Sequence, residues 1–377
     1  MWNPNSIIFC FYLIFSILAL WGIIEAWVHQ SRTETIHPFK AFVHLLAFYL
    51  SYLLIPLWFF NLYAGWIGYY SIHETIFIFL LSGILIYARF IEPHMVRVDV
   101  HQYRLNPDRR FAKPVKVALI ADLHIGLFSG HERQLKIIVK KLNEQQPDLV
   151  VVAGDWTYEP EDKLVQELSV LKDIKAPVYS VPGNHDEQYP GPPIQQLLKD
   201  ALHYNDVMDI EGKIVEFDEF RLIGIGDLWA GKTDMRSMPD LPQDKPWLIL
   251  SHNPDTVDMV PKLPNRPLML SGHTHGGQVE LPWVTNYIMK KVSILGHKRG
   301  FYSHEHADVF VTVGTGMVGI PLRFRVPPTI DIIELDNKKP ITKDWLFIME
   351  NLRNNYDSNT TINCPIFIGC IRYIRLS

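Results

Sequence analysis

The hydrophobic pattern of the chain begins with three long apolar runs. The first, residues 7–28, is long enough to cross a hydrocarbon core of about 30 Å, and it lacks the small-residue cleavage site of a signal peptide. The second run covers residues 43–62. The third, residues 72–88, is shorter and carries a histidine and a glutamate near its start. The pattern predicts three transmembrane helices, with an interfacial helix as the alternative for the third run.

Basic residues around these runs predict the orientation of the chain. Arg32 and Lys40 lie between the first and second runs, whereas the segment between the second and third contains no lysine or arginine. Further basic residues follow the third run: Arg89, Arg97, Arg104, Arg109, Arg110 and Lys113. Because cytoplasmic loops carry an excess of Lys and Arg, three spans place the N-terminus outside and the large C-terminal part in the cytoplasm. With only two spans, the basic residues would place both the loop between the spans and the C-terminal part in the cytoplasm. These two segments would then have to lie on opposite sides of the membrane, which is a conflict.

After this membrane region (residues 1–92) and a basic linker (residues 93–113), strand-like and helix-like patterns alternate. Strands are predicted at residues 115–121, 149–153 and 177–181, and the helices between them at residues 135–142 and 164–171. Five more strands, without long helices between them, are predicted at residues 221–225, 247–250, 267–270, 309–313 and 330–335. This order indicates a layered α/β domain over residues 114–338, with its site at the carboxyl ends of strands. The sequence predicts no role for the tail, residues 339–377.

Composition and charge narrow the function classes. The chain has 377 residues, of which 48% are hydrophobic and 20% are charged, so it can build a sizeable core. Its net charge of −4 gives no reason to expect a nucleic-acid partner. The three cysteines, Cys10, Cys364 and Cys370, lie outside the predicted strand-end loops, so neither a disulfide framework nor a thiolate metal site is indicated.

Residues that can bind metals follow the predicted strands. Two phrases, Asn184-His185-Asp186 and His273-Thr274-His275, are each introduced by a glycine at the end of an apolar run. Singly, such a phrase is most often an ordinary turn. Together the candidates form a set of seven: Asp122, His124, Asp155, Asn184, His252, His273 and His275. Because loops from successive strand ends can converge, this mixture of carboxylates, one amide and imidazoles predicts a dinuclear metal site.

This series of motifs resembles the calcineurin-like metallophosphoesterases over residues 114–335. The apolar N-terminal runs, together with residues 314–317 and 321–324, resemble the membrane-associated bacterial branch of that family. The resemblance implies a four-layer αββα sandwich of two mixed sheets flanked by helices. It also implies a division of the seven candidates: Asp122, His124 and His275 on one metal, Asn184, His252 and His273 on the other, and Asp155 bridging both.

The same resemblance implies a catalytic histidine, His185, that faces the substrate without binding metal. Two divalent ions can clamp a phosphate and activate water, and His185 could then donate a hydrogen bond or a proton to the leaving oxygen. Many relatives carry an aspartate three residues after the bridging one to orient this histidine, but here Tyr158 occupies that position. Orientation of His185 must come from elsewhere, with Glu159 or a backbone carbonyl as candidates. Mn²⁺ is the first choice of metal for these ligands, ahead of Fe or Zn.

The predicted function is that of a membrane-anchored phosphoesterase that cleaves phosphodiester or pyrophosphate bonds. A domain tethered beside a bilayer would meet amphiphilic phosphates, and similar enzymes include hydrolases of UDP-2,3-diacylglucosamine, so a lipid-linked substrate is one alternative. Cyclic nucleotides or other soluble diesters are the other. A scaffold without activity is disfavoured, because no expected ligand is missing from the sequence.

Three further segments admit competing interpretations. Residues 226–233 match the P-loop pattern, but the prolines that follow prevent the helix that a P-loop requires, so a surface loop beside the metal site is favoured. Residues 303–306 contain two histidines and are expected to form a solvated turn. His297 is expected in a basic loop, and Arg323 is equally consistent with packing, solvent exposure or substrate contact.

Overall fold

The computed structural model describes residues 4–33, 35, 37–105, 111–128, 130–161, 163–187 and 194–335. Several features predicted from sequence lie outside the described residues: Arg109 and Arg110 of the linker, and the tail 339–377 with Cys364 and Cys370.

The N-terminal region is helical. Its α-helices are α1 (Pro4–Gln30), α2 (Pro38–Leu50), α3 (Leu54–Trp66) and α4 (Ile72–Ile86). A 3₁₀ turn, Ser51–Leu53, joins α2 to α3, so the continuous helical stretches long and apolar enough to cross a membrane are Ser6–Gln30, Pro38–Trp66 and Ile72–His94. The third run is therefore long enough to span.

The polar residues at the start of the third run have a local explanation. Ser71 and Glu74 form a capping box at the N-terminus of α4: the Ser71 N–H donates to the Glu74 carboxylate at 2.9 Å, and the Glu74 N–H donates to the Ser71 hydroxyl at 3.3 Å. These bonds satisfy backbone N–H groups that a helix start leaves without partners. Glu74 thus marks the helix end rather than interrupting an apolar span.

The remaining chain contains fourteen strands and five α-helices within the described residues. The strands are β1 (Arg97–Tyr103), β2 (Val115–Ile120), β3 (Ile125–Gly126), β4 (Leu149–Ala153), β5 (Thr157–Tyr158), β6 (Val178–Val181), β7 (Val207–Asp209), β8 (Ile214–Glu216), β9 (Arg221–Ile225), β10 (Trp247–Ser251), β11 (Leu268–Ser271), β12 (Gly300–Ser303), β13 (Asp308–Val311) and β14 (Thr329–Leu335). The helices are α5 (His131–Gln145), α6 (Leu164–Glu167), α7 (Asn184–Glu187), α8 (Ile194–Tyr204) and α9 (Val284–Val292). The eight strands predicted from sequence are confirmed to within two residues at each end.

One prediction is wrong in this region. The basic linker was placed at residues 93–113, but β1 occupies its middle and pairs in parallel with β14, from Arg97 opposite Thr329 to Tyr103 opposite Leu335. Exposed and partly buried residues alternate along β1, as is typical of an edge strand. The basic and polar residues around β1 conceal this pattern in the sequence.

Two mixed six-stranded sheets pack face to face. Their strand orders are β1-β14-β2-β4-β6-β7 and β12-β13-β11-β10-β9-β8. In β4, Val150 and Val152 face the core under α5 and α8, whereas Val151 faces the second sheet. In β10, Leu250 lies between the sheets and Ile249 faces a third core, covered by the 3₁₀ helix Pro254–Met259. Because β4 and β10 are buried on both faces, each of them reads as an unbroken apolar run. The four-layer sandwich is confirmed.

Helix α2 packs on the sandwich rather than standing apart from it. Ala41, Leu45 and Phe48 of α2 share one buried cluster with Phe128 and Tyr158, and the rings of Phe48 and Phe128 stack with centroids 5.4 Å apart. The half of the second apolar helical stretch that precedes Ser51 therefore faces the loops at the ends of β2 and β4.

Candidate metal centre

The seven predicted ligands lie in loops at the carboxyl ends of five strands. Asp122 and His124 follow β2, Asp155 follows β4, Asn184 follows β6, His252 follows β10, and His273 and His275 follow β11. Backbone hydrogen bonds join these loops: the Asp122 N–H donates to Gly154 O at 3.0 Å, and the Gly272 N–H donates to His252 O at 3.0 Å. The His273 N–H donates to Oδ1 of Asp122 at 3.1 Å, so the loops of both sheets meet at one edge of the sandwich.

The first group of converging side chains consists of Asp122, His124 and His275. One ligand atom from each lies within 4.8 Å of the others, and all three residues are buried. The Nε2 atoms of His124 and His275 are 2.9 Å apart, and Nε2 of His275 is 3.6 Å from Oδ1 of Asp122.

The second group consists of Asp155, His252 and His273, again with ligand atoms within 4.8 Å of one another. Asn184 joins this group, because its Oδ1 lies 3.2 Å from His252 Nε2 and 2.9 Å from His273 Nδ1. Asp155 stands between the groups: its Oδ2 is 3.2 Å from His252 Nε2 and 3.6 Å from His124 Nε2. All seven residues are therefore brought together, while their individual roles as ligands remain predictions.

The donor set fits divalent cations. In each group two imidazole nitrogens point at each other, at 2.9 Å for His124 and His275 and at 3.2 Å for His273 and His252. Such a pair needs a proton or a cation between its lone pairs. Carboxylate oxygens stand beside both pairs, so a cation would meet opposite charge together with imidazole nitrogen donors.

The backbone is held in an uncommon conformation at these positions. Five of the seven have positive φ: Asp122 (54°), His124 (50°), Asp155 (53°), His273 (72°) and His275 (51°). Residues other than glycine adopt this region rarely and at a cost of about 1–3 kcal/mol each, and such residues cluster at functional sites. The glycines seen in the sequence serve the same geometry. A Cβ at Gly183 would overlap Oδ1 of Asp155, and one at Gly272 would lie 2.8 Å from Oδ2 of Asp122.

Burial keeps most of the imidazoles neutral. It lowers the pKa of His124 and of His273 to about 3, and it holds the pKa of His275 well below its ordinary value, with neighbouring imidazoles adding to the effect. Neutral imidazole is the form that binds a metal, so these side chains are available as ligands at neutral pH.

Asp155 and His252 form the charged centre of the site. Burial alone would raise the pKa of Asp155 and lower that of His252, but their mutual attraction outweighs burial. The pKa of Asp155 is held well below its ordinary value, and that of His252 is raised to about 10. His252 is oriented by the carbonyl oxygen of Ala153, 2.7 Å from its Nδ1. Outer partners of this kind fix which ring nitrogen faces a metal.

His185 sits against the first group through its ring. Its backbone N–H donates to Oδ1 of Asp155 at 2.9 Å, and its ring meets those of His124 and Tyr158 nearly at right angles, with centroids 5.0 and 4.9 Å apart. Tyr158 thus forms one wall beside His185. Glu159, one of the two sequence-based candidates for orienting His185, is hydrogen-bonded to the side chain of Thr35.

Sequence reasoning missed the partners supplied by α2. The hydroxyl of Tyr158 lies 2.6 Å from Nδ1 of His44, and Nζ of Lys40 lies 5.8 Å from the centroid of the Tyr158 ring. Both α2 residues precede the first strand by more than fifty positions. No local motif links them to the metal-site loops.

Asp186 was also missed as a structural residue. It is fully buried, and its carboxylate accepts hydrogen bonds from the N–H groups of Trp156, Thr157 and Gly183 at 2.9–3.1 Å, and from the Thr157 hydroxyl at 2.9 Å. It therefore clamps the loop that carries Asp155 to the loop that carries Asn184. The signal was present as the aspartate that ends Asn184-His185-Asp186.

The P-loop interpretation of residues 226–233 is wrong, as the prolines predict. The segment is followed by a short 3₁₀ helix, Met238–Asp240, and Nζ of Lys232 pairs with the buried Glu187 carboxylate at 2.7 and 2.8 Å. The ring of Trp229 lies 4.5 Å from that of His273, centroid to centroid. A surface loop beside the predicted metal ligands is confirmed.

His297 lies in a loop with Lys298 and Arg299, as expected. It is nevertheless buried: its Nδ1 lies 3.0 Å from Oδ1 of Asp255, and its Nε2 lies 2.7 Å from Nε2 of His304. The turn at residues 303–306 is accordingly attached to the domain through His304. Arg323 is fully buried and donates to the carbonyl oxygens of Gly316 and Val326, so its role is packing.

A two-sheet sandwich with histidines, carboxylates and an asparagine converging at its strand ends defines a metal-dependent phosphoesterase fold. The calcineurin-like phosphoesterase family matches the chain over residues 115–277. An uncharacterized metallophosphoesterase of Campylobacter jejuni, Cj0846, is 30% identical in an alignment of 274 residues that covers 69% of this chain and 69% of that protein. The chain belongs to the metallophosphoesterase family and is a metal-dependent phosphoric ester hydrolase.

Two further relatives carry named activities. The protein named phosphodiesterase YaeI of Escherichia coli is 28% identical over 256 residues, covering 66% of this chain and 92% of that protein. The protein named UDP-2,3-diacylglucosamine pyrophosphatase LpxG of Chlamydia trachomatis is 24% identical over 306 residues, covering 65% and 91%. Family membership implies a dinuclear site for divalent metals, for which the buried His and Asp groups provide donors.

Proposed function

We propose that the protein is a membrane-anchored dinuclear metallophosphoesterase that cleaves a phosphodiester or pyrophosphate bond in a lipid-linked substrate. The observation that carries this proposal is the hydrogen bond between His44 and Tyr158, because it makes a helix of a candidate membrane span part of the wall beside His185. A site so built lies where amphiphilic phosphates are concentrated.

In this proposal Asp122, His124 and His275 hold one metal, Asn184, His252 and His273 hold the other, and Asp155 bridges them. Mn²⁺ is the first choice, with Fe or Zn as alternatives, because carboxylate, amide and imidazole donors suit all three. When bound, the metal pair supplies Lewis-acid activation of water and of the phosphoryl group. Asp155 keeps the two groups of donors at a fixed separation.

His185 is the proposed hydrogen-bond donor to the leaving oxygen. Burial lowers its pKa, so the ring is neutral at pH 7 and offers one N–H. The edge-to-face contacts with Tyr158 and His124 fix the ring plane, which sets the direction of that N–H. Lys40, near the Tyr158 ring, adds positive charge beside this wall, and that charge would attract an anionic phosphate.

The contacts of the helix ends support three antiparallel spans with one common side. His29 near the end of α1 lies 3.4 Å from the Glu161 carboxylate, α2 contacts Tyr158, and the N–H of Arg323 donates to Ala88 O just after α4 at 2.9 Å. The end of α1, the start of α2 and the end of α4 therefore all meet the sandwich. Together with the basic residues on that side, this favours an N-terminus outside and a catalytic domain in the cytoplasm, in a multi-pass inner-membrane protein.

The substrate class is open to a direct test. The relative named LpxG favours a lipid-linked pyrophosphate, and the relative named YaeI favours a phosphodiester. The full chain, purified in detergent and loaded with Mn²⁺, would be assayed against UDP-2,3-diacylglucosamine, bis-p-nitrophenyl phosphate and a cyclic nucleotide, with Asp155→Asn as the inactive control. We expect the highest kcat/KM with the lipid-linked substrate. A higher kcat/KM with the cyclic nucleotide would replace this proposal with that of a soluble-substrate phosphodiesterase.

A further inference from the structure

Helix α9 exposes an apolar surface that nothing in the described protein covers. Only Thr285 and Met289 of this helix are buried, on its one inward face. The α9 surface is defined by the large side chains that point outward from the helix and its flanks: Trp283, Val284, Tyr287, Ile288, Ile294 and Leu295. Trp283 is 86% exposed and Ile294 is 91% exposed, so these side chains are almost free of protein contacts. Exposed apolar groups concentrated in so short a segment mark an interaction site.

The composition of the α9 surface suits a lipid headgroup layer. Lys290 and Lys291 are exposed at the end of the helix, and Nζ of Lys291 lies 5.3 Å from the Tyr287 ring centroid. A short helix with aliphatic and aromatic residues outward and lysines beside them is typical of helices that lie in the membrane interface, where Trp and Tyr rings are also favoured.

Hydrogen bonds connect the α9 surface to the third candidate span. The N–H of Glu280, shortly before α9, donates to Phe324 O at 2.9 Å, and the N–H of the adjacent Arg323 donates to Ala88 O at 2.9 Å. Ile320, in the same connecting segment, is a large apolar residue that is also exposed. The apolar face of α9 is therefore joined through one short segment to the end of the helix that begins with α4. This continuity favours a bilayer over a separate protein as the occupant.

The α9 surface is rigidly held next to the metal centre. A Cβ added at Gly277, two residues after His275, would lie 3.6 Å from the sulfur of Met289, and the Thr274 hydroxyl donates to Lys298 O at 2.6 Å. Beyond the helix, the Asp255 carboxylate accepts hydrogen bonds from the Ser293 hydroxyl and the Ile294 N–H, both at 2.6 Å. Any surface that receives α9 therefore also approaches the loop of His273 and His275.

We infer that the α9 surface lies in the headgroup layer of the bilayer that the N-terminal helices cross, with Lys290 and Lys291 at the lipid phosphates, so that the metal centre opens beside the membrane surface. This inference rests on the membrane anchoring proposed above. It adds a second, interfacial contact to the transmembrane one and places the His273 loop close to lipid headgroups.

The test uses single cysteines in the full chain after replacement of Cys10, Cys364 and Cys370 by serine. Ile288→Cys, Leu13→Cys in α1 and Met208→Cys on the edge strand β7 would each be labelled with an environment-sensitive NBD fluorophore. The proteins would be reconstituted into vesicles of phosphatidylcholine and phosphatidylglycerol, without quencher or with lipid that carries a nitroxide either near the headgroup or deep in its acyl chain. Met208 is the matched control, because it is an apolar residue exposed to a similar extent as Ile288, 45% against 52%.

We expect the quencher to reduce fluorescence at Ile288 at least twofold and to leave Met208 unchanged, with Leu13 quenched by lipid that carries the nitroxide deep in its acyl chain. Quenching at Leu13 without quenching at Ile288 would overturn the inference and leave the anchoring intact. Absence of quenching at both positions would overturn the anchoring and the inference together.

A second variant tests the consequence for activity. Ile288→Glu changes an exposed side chain outside the metal centre, so turnover of water-soluble bis-p-nitrophenyl phosphate should stay within twofold of the unmodified protein. Turnover of a phosphodiester lipid dispersed in the same vesicles should fall at least fivefold, and Met208→Glu should have no such effect. Equal turnover of the vesicle-bound substrate by Ile288→Glu and the unmodified protein would contradict the inference.

Discussion

The hydroxyl of Tyr158 lies 2.6 Å from Nδ1 of His44, while the ring of Tyr158 lies 4.9 Å from that of His185, centroid to centroid. One side chain thus joins a helix of a candidate membrane span to His185, the proposed hydrogen-bond donor. Tyr158 forms a packed wall beside His185, and this wall is held from α2 by the hydrogen bond to His44. We therefore expect Tyr158 to position His185.

Tyr158→Phe removes the bond to His44 and keeps the ring against His185. The lost hydrogen bond contributes about 1 kcal/mol. If its loss raises the activation free energy by a similar amount, kcat should fall about five- to tenfold. KM and metal content should stay unchanged, and Tyr158→Ala should lower kcat further. Steady-state kinetics with a soluble diester and metal analysis would measure both effects. Full activity in Tyr158→Ala would exclude a positioning role.

Asp155→Asn should abolish hydrolysis without unfolding the protein. The variant loses the negative charge between the two groups of donors, so we expect bound metal to fall from two ions to one or fewer per chain. Activity should drop by more than about 100-fold, which exceeds the loss caused by changing a residue that only orients a ligand. Asp240→Asn, an exposed carboxylate, is the matched control for metal content and circular dichroism. Normal turnover with two metals bound would contradict a bridging role for Asp155.

Gly183→Ala tests whether close backbone approach shapes the metal centre. The added Cβ would overlap Oδ1 of Asp155, so the carboxylate must move away from His252 and His124. We expect weaker metal binding, measured by titration of the metal-free protein, and activity that recovers in part at high Mn²⁺. Gly83→Ala in α4 has only the Trp58 ring nitrogen at 4.0 Å and should behave as the unmodified protein. Equal metal affinity in both variants would refute the steric argument.

Asp255 should stabilise the protein in a pH-dependent manner. Burial alone would raise its pKa, but hydrogen bonds from His297 and Ser293 outweigh burial and hold the pKa below its ordinary value. Because the folded-state pKa is depressed, the stabilisation is complete above the unfolded-state pKa of about 4 and is lost as the pH falls below that value. Asp255→Asn should therefore lower the free energy of unfolding by about 1–3 kcal/mol at pH 7. Denaturation at several pH values should show this difference shrinking below pH 4, and a difference that grows toward acid would contradict the assignment.

Reporter fusions test the orientation. A reporter after Leu335 should behave as cytoplasmic and one near Gly68 as exported, because the segment between the second and third spans contains no lysine or arginine whereas both flanks are basic. Paired alkaline phosphatase and green fluorescent protein fusions at both sites would measure this. An exported reporter after Leu335 would reverse the orientation and move the substrate to the other face of the membrane, with the metal chemistry unchanged.

The sequence predicted the parts of the site that local patterns encode. Asp155 and His273 follow apolar runs and glycines, so their place at strand ends could be inferred from the chain itself. The bond between His44 and Tyr158 joins positions 114 residues apart, and no periodicity records it. Strand β1 was missed because an edge strand buries too little to show an apolar run, and the burial of His297 was missed because its partner Asp255 lies 42 positions away.

The direct passage from the third candidate span into β1 has a consequence for substrate choice. Only Met95 and Val96 separate the helical stretch that ends at His94 from the strand that begins at Arg97, and this strand is locked to β14 along its whole length. A domain joined in this way has no flexible linker between it and the helices. If the helices cross a bilayer, the metal centre is held at one fixed height above it. The enzyme would then select substrates by the distance of their scissile phosphate from the membrane as well as by their chemistry.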